Sequence, residues 1–98
     1  KLLPDRATLA CVWRYLAAVP GGSLQESPLC LCRKIVRRSG TELSLEQLLT
    51  CLDIFRDVGL LEEKRIHLTI AIRLRTVSGK ADLAKSETMQ TLLRAKES

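Results

Sequence analysis

The chain has 98 residues, enough for one small domain, with 16 Lys and Arg against 11 Asp and Glu and a net charge of +5. Apolar residues make up 46%, which supports a real core, and no apolar run is long enough to span a bilayer. A single His (His67) and 3% aromatics (Trp13, Tyr15 and Phe55) argue against metal-dependent or histidine-based chemistry. No basic start leads into an apolar stretch with a small-residue cleavage site, so no signal peptide is read. A chain that opens on Lys rather than Met reads as a segment of a longer protein.

Residues 5–19 read as the first helix. Asp5 is its N-cap, after Pro4. Leu9, Val12, Trp13, Leu16 and Val19 recur at helical spacing on one apolar face. Pro20-Gly21-Gly22 stops it, and residues 20–27 read as a loop. Ser27-Pro28 opens the second helix, as N-cap and first helical residue. Leu29, Cys32, Ile35 and Val36 are expected to face inward, and Gly40 ends the helix. Arg33, Lys34, Arg37 and Arg38 face outward. Ser44 and Gln47 fit a capping box for the third helix. Its apolar stripe is Leu45, Leu48, Leu49, Leu52, Phe55 and Val58, and Gly59 terminates it.

Over residues 60–76 the period changes to two. Ile66, Leu68, Ile70, Ile72 and Leu74 alternate with His67, Thr69, Ala71, Arg73 and Arg75, which predicts a strand with one buried face. Leu60 and Leu61 supply a short partner strand, with the turn expected near residues 63–65. Residues 77–80 read as a loop. Ser86 then caps a short last helix that carries Met89, Leu92 and Leu93. The expected fold is mainly α with a β-hairpin (α+β). It is a single winged-helix-like domain over residues 1–98: three helices, a two-stranded wing and a short C-terminal helix. Such folds bind DNA, RNA or protein, so the fold alone assigns no function.

Cys11, Cys30, Cys32 and Cys51 are read as free structural thiols. Two residues apart on a helix, Cys30 and Cys32 point about 200° apart, and no zinc-ligand spacing is present. Free thiols imply a reducing compartment, the cytoplasm. His67 has no ligand-spaced partner and reads as a surface residue. Glu62 and Glu63 do not pair, Gly79-Lys80 lacks a phosphate-cradling loop, and no Ser sits in a nucleophile elbow. No intrinsic catalysis is expected.

In a winged-helix DNA reader the third helix enters the major groove. Here its polar face carries Glu46, Asp53 and Asp57 against Arg56, three acids to one base, for a net of −2. A phosphate-lined groove repels such a face, although Gln47 and Thr50 have the chemistry to read base edges. The cations lie elsewhere. Arg33 and Arg37 form one column on the second helix, Lys34 and Arg38 a second beside it. Like charges at that spacing cost a few tenths of a kcal/mol each, which a purely structural helix does not need. The helix C-terminus accounts for Arg37 and Arg38 through the macrodipole, and less well for Arg33 and Lys34. Lys64, Arg65, Arg73 and Arg75 add charge on the hairpin, to touch a phosphate backbone or to blunt an edge strand. Tyr15 is the one candidate for an exposed stacking ring, so nucleic-acid contact is expected to be backbone-type and indifferent to sequence.

Three stretches carry a resemblance: PDRATLACVWRYL (residues 4–16), CLDIFRDVGLLEE (51–63) and SGKADLAKSETMQTLL (78–93). They resemble the C-terminal region of RecJ-type single-stranded-DNA-specific exonucleases of Firmicutes. In those proteins a similar junction matches Leu52, Phe55, Val58, Gly59 and Leu60, and a later Gly-Lys-x-Asp-Leu matches Gly79, Lys80, Asp82 and Leu83. The loop at 20–28 and the Arg-rich second helix have no match in that pattern. The resemblance implies 5′→3′ degradation of single-stranded DNA in recombination and repair, catalysed with Mn²⁺ or Mg²⁺ in an N-terminal core absent from this chain. It therefore implies a non-catalytic accessory domain, with no cofactor of its own. Such a domain holds the single-stranded DNA backbone, docks on the catalytic core, or recruits a single-strand-binding protein or a helicase. Two other readings stand beside it: the dimeric winged-helix DNA-binding domain of a transcriptional regulator, and a purely protein-interacting winged helix.

Overall fold

The computed structural model describes residues 3–75. The elements run α1 (Arg6–Ala17), a 3-10 turn (Pro20–Gly22), β1 (Ser23–Glu26), α2 (Pro28–Ser39), α3 (Leu45–Asp57), β2 (Leu61–Ile66) and β3 (Thr69–Leu74). This is a small α+β fold, with three α-helices and a three-stranded antiparallel sheet among the described residues. The expected C-terminal helix from Ser86, and the resembling stretch over 78–93, lie outside the described residues.

The helices start and stop where local chemistry dictates. Asp5 accepts a 2.8 Å hydrogen bond from the Thr8 N–H, which pulls its carboxyl below its ordinary pKa. The helix ends at Ala17 rather than 19, because the Ala18 and Val19 N–H groups turn to the carbonyls of Tyr15 and Leu16 before Pro20. The Ser27 hydroxyl caps α2 by accepting from the Cys30 N–H at 3.1 Å. Gly40, at φ 71°, closes it by donating to the Val36 carbonyl at 2.8 Å. Ser44 and Gln47 form the expected capping box on α3.

The three helices and one face of the sheet enclose the core. It gathers Leu9, Val12 and Leu16 of α1, Leu31, Cys32 and Ile35 of α2, and Leu48, Cys51, Leu52 and Phe55 of α3. Leu60, Leu61, Ile70 and Ile72 close it from the sheet side. Trp13 meets Phe55 edge to face, with ring centroids 5.4 Å apart. Leu29 departs from expectation: it is half-exposed, and Leu31 takes the inward position instead.

Two sheet features correct the sequence reading. The segment expected as loop holds β1, which pairs with β3 from Ser23↔Arg73 to Glu26↔Ile70. The sheet is therefore three-stranded, in the order β1-β3-β2, rather than a two-stranded wing. Ser-Leu-Gln-Glu carries one apolar residue, too few for a strand signal, and its pairing partner lies far along the chain. The hairpin turn also sits later than residues 63–65. The β2–β3 register runs from Leu61↔Leu74 to Ile66↔Thr69, which leaves His67 and Leu68 as the turn. His67 takes a positive φ of 55° in place of the usual Gly or Asn. Ile66 and Leu68 consequently leave the core face and are 48% and 84% exposed. Ile70 and Ile72 alone of the alternating set are fully buried.

Candidate nucleic-acid interface

α2 presents Arg33, Lys34, Arg37 and Arg38 to solvent, opposite buried Leu31, Cys32 and Ile35. The four differ in what they meet. Lys34 Nζ lies 3.2 Å from Glu26 Oε2 on β1, a hydrogen-bonded ion pair that raises the Lys34 pKa. Arg33, Arg37 and Arg38 have no carboxylate partner among the described residues.

The hairpin cations are mostly engaged. Register places Glu63 and Arg65 on the core side of the sheet, and Glu62, Lys64 and Arg73 on the outer side. The Glu63 side chain is 1% exposed and is held by two arginines. Arg65 Nε binds Glu63 Oε2, and Arg65 Nη2 reaches Asp53 Oδ1 of α3 at 3.1 Å. The Glu63 hydrogen bond is the main cause of the raised Arg65 pKa. Arg56 lies 3.5 Å from Glu63 Oε1, 3.3 Å from Asp53 and 3.7 Å from Asp57. That buried Oε1 makes no hydrogen bond, so Arg56 serves it by charge rather than by an aligned donor. On the outer face Arg73 lies 3.6 Å from Glu62. Lys64 and Arg75 are exposed and have no carboxylate partner among the described residues. Lys64 and Arg65, expected at the turn, are strand residues.

α3 is occupied with its own structure. The Thr50 hydroxyl donates back to the Glu46 carbonyl at 2.9 Å, and Gln47 is committed to the capping box. The two side chains with base-reading chemistry are thus turned onto their own helix, and Arg56, its one base, is ringed by carboxylates.

Tyr15 is half-buried against the core rather than free in solvent. Its position makes it informative: it lines a hollow of about 220 Å³ between α1 and α2, with Arg14 and Arg38 also on its walls. Sequence reasoning passed over Arg14. No other cation lies within a turn of it on α1, which gives no signal, and only the packing of α1 on α2 puts it on the wall of the same hollow as Arg38. Both arginines sit in the last turns of their helices, where the macrodipole favours a cation. That effect does not require them to line one hollow.

All four cysteines are free. Burial pushes the Cys32 thiol pKa up, and its Sγ lies 3.1 Å from the Leu43 carbonyl. Among the described residues no three His, Cys, Asp or Glu side chains gather as a metal site, and no helix is long and apolar enough to cross a membrane. His67 is exposed at the hairpin turn. Compared with protein-family models, with curated proteins and with solved structures, the chain matches none of them.

Proposed function

We propose that this chain is a winged-helix-like accessory module of a RecJ-type single-stranded-DNA exonuclease, and that it grips the DNA backbone through α2. The observation that carries the reading is the trio Arg33, Arg37 and Arg38: exposed on one helix and without carboxylate partners among the described residues. Guanidinium groups suit phosphate, because their planar donors bind it in pairs. The order α1, α2, α3 and then the β2–β3 hairpin supports the winged-helix description, with β1 added on the far side of β3. The self-occupied polar face of α3 favours a backbone grip over sequence reading, and so disfavours the transcriptional-regulator alternative. Mn²⁺ or Mg²⁺ and the hydrolysis belong to the parent's catalytic core; this module is assigned no chemistry and no cofactor.

A second reading has one observation in its favour. Ile66 and Leu68 expose an apolar hairpin tip, which suits docking on the parent's catalytic core, a single-strand-binding protein or a helicase. The two readings separate in one experiment, fluorescence anisotropy of the chain with a labelled single-stranded oligonucleotide at low salt. Binding that is lost on changing Arg33, Arg37 and Arg38 together to Ala is the expected result. Binding unchanged by the triple substitution would remove α2 from the interface, and no binding at all would leave protein docking.

A further inference from the structure

We propose that the hollow between α1 and α2 takes one nucleotide of a single strand, with its phosphate at Arg14 and Arg38 and its base beside Tyr15. This rests on the nucleic-acid reading above and gives it a defined subsite. The hollow measures about 220 Å³ and is lined by Cys11, Arg14 and Tyr15 of α1, by Ala18 just after it, and by Ile35 and Arg38 of α2. That is below the 300–1,000 Å³ or so of a drug-sized pocket, and it suits a single ring system. Ile35 lies beneath the hollow and is fully buried, so the apolar surface open to a ligand is that of Cys11, Tyr15 and Ala18. Among the described residues no acidic side chain lines it. Neither Arg14 nor Arg38 has a carboxylate partner among the described residues. Ser39 also borders the hollow, but its hydroxyl is already used: it donates to the Ile35 carbonyl at 2.8 Å and accepts from the Thr41 N–H at 3.1 Å.

A nucleotide uses every one of these features. Its phosphate meets two guanidinium groups from different helices, and its flat base meets the Tyr15 ring and the small apolar side chains beside it. An acidic peptide would use the cations and leave the ring idle. The phosphate-binding trio also lies next door: Arg38 belongs to both the hollow and the exposed face of α2. A strand that runs along Arg33 and Arg37 is therefore led to the hollow by the same helix.

The test uses the whole 98-residue chain with labelled oligothymidylate and an abasic oligomer of equal length. Arg14→Ala is expected to weaken oligothymidylate binding about fivefold at about 0.1 M salt and to lower the log–log salt slope by about 0.7. Tyr15→Leu is expected to weaken oligothymidylate about fivefold and to leave the abasic oligomer unchanged. Should Tyr15→Leu fail to fold by circular dichroism, photocrosslinking of a 5-iodouracil oligomer to the wild-type chain decides: a crosslink on α1 supports the subsite, and crosslinks only elsewhere overturn it. If both variants bind like wild type while Arg33→Ala/Arg37→Ala weakens binding, the hollow is not a nucleotide site and the α2 face stands. If the wild-type chain binds no oligomer at low salt, the nucleic-acid reading falls and the subsite with it. Displacement of the oligomer by polyglutamate as readily as by unlabelled oligothymidylate would assign the hollow to acidic peptides and overturn the proposal.

Discussion

The exposed face of α2 and the corner where α3 meets β2 both carry cations and use them in different ways. On α2, Arg33, Arg37 and Arg38 have no carboxylate partner among the described residues. At the corner, Arg56 and Arg65 are both bound to Asp53 and Glu63. One region leaves its charge unpaired among the described residues; the other uses it to join a helix to a strand. A count of Lys and Arg along the sequence cannot separate the two cases. What separates them is which residues a shared fold brings within reach, and that is a property of packing and register.

The largest expected effect attacks the free side of the comparison. Arg33→Ala/Arg37→Ala/Arg38→Ala removes three phosphate contacts at about 0.7 each in the log–log slope, so affinity for a single strand should fall about 100-fold at about 0.1 M salt. The fold should survive, since Ala is a better helix former than Arg. A loss under about threefold would mean that unpaired charge is not what binds.

The next effect converts the engaged side into the free one. Asp53→Asn/Glu63→Gln releases Arg65 and most of the hold on Arg56. Single-strand affinity should then rise about fivefold, the worth of one added phosphate contact at about 0.1 M salt. An unchanged affinity in a folded variant would show that position, rather than pairing, decides which cations bind.

A third prediction separates a carboxylate that caps a helix from the carboxylates of the ion network. Asp5→Ala should cost about 1 kcal/mol of stability at neutral pH, measured by chemical denaturation. Its hydrogen bond to the Thr8 N–H holds the folded pKa below the unfolded value. The contribution is therefore fully present above the unfolded pKa and is lost as pH falls through the lowered folded one. Wild type and variant should converge in stability at acidic pH. A difference that persists there would place the effect in packing rather than in the carboxylate.

The smallest effect concerns Lys34, the α2 cation that has a carboxylate partner among the described residues. Glu26→Gln frees Lys34, and single-strand affinity should rise about twofold, because an exposed pair holds its lysine only weakly. A decrease would show that the Glu26–Lys34 pair shapes the binding face instead of competing with it.

Much of the helical framework was legible from short-range chemistry. Asp5, Ser27-Pro28, Gly40 and the Ser44–Gln47 box each act within a few residues of their own position, and each occurs where the sequence indicated. The sheet was less legible, because its partners are distant in the chain. β1 is a strand through its pairing with β3, and the hairpin turn falls at His67-Leu68 because register outweighs the missing Gly or Asn. The candidate site divides along the same line. The α2 arginines could be read from helical periodicity. The capture of Arg65 by Asp53, the pairing of Lys34 with Glu26 and the placing of Arg14 and Arg38 on one hollow all depend on tertiary packing.

The most direct measurement is a salt titration of single-stranded oligonucleotide binding by the wild-type chain and by the Arg33→Ala/Arg37→Ala/Arg38→Ala variant. The expected wild-type slope is steeper than the variant's by about 2 in the log–log plot, three contacts at about 0.7 each. Equal slopes, or no wild-type binding at low salt, would contradict a backbone grip by α2.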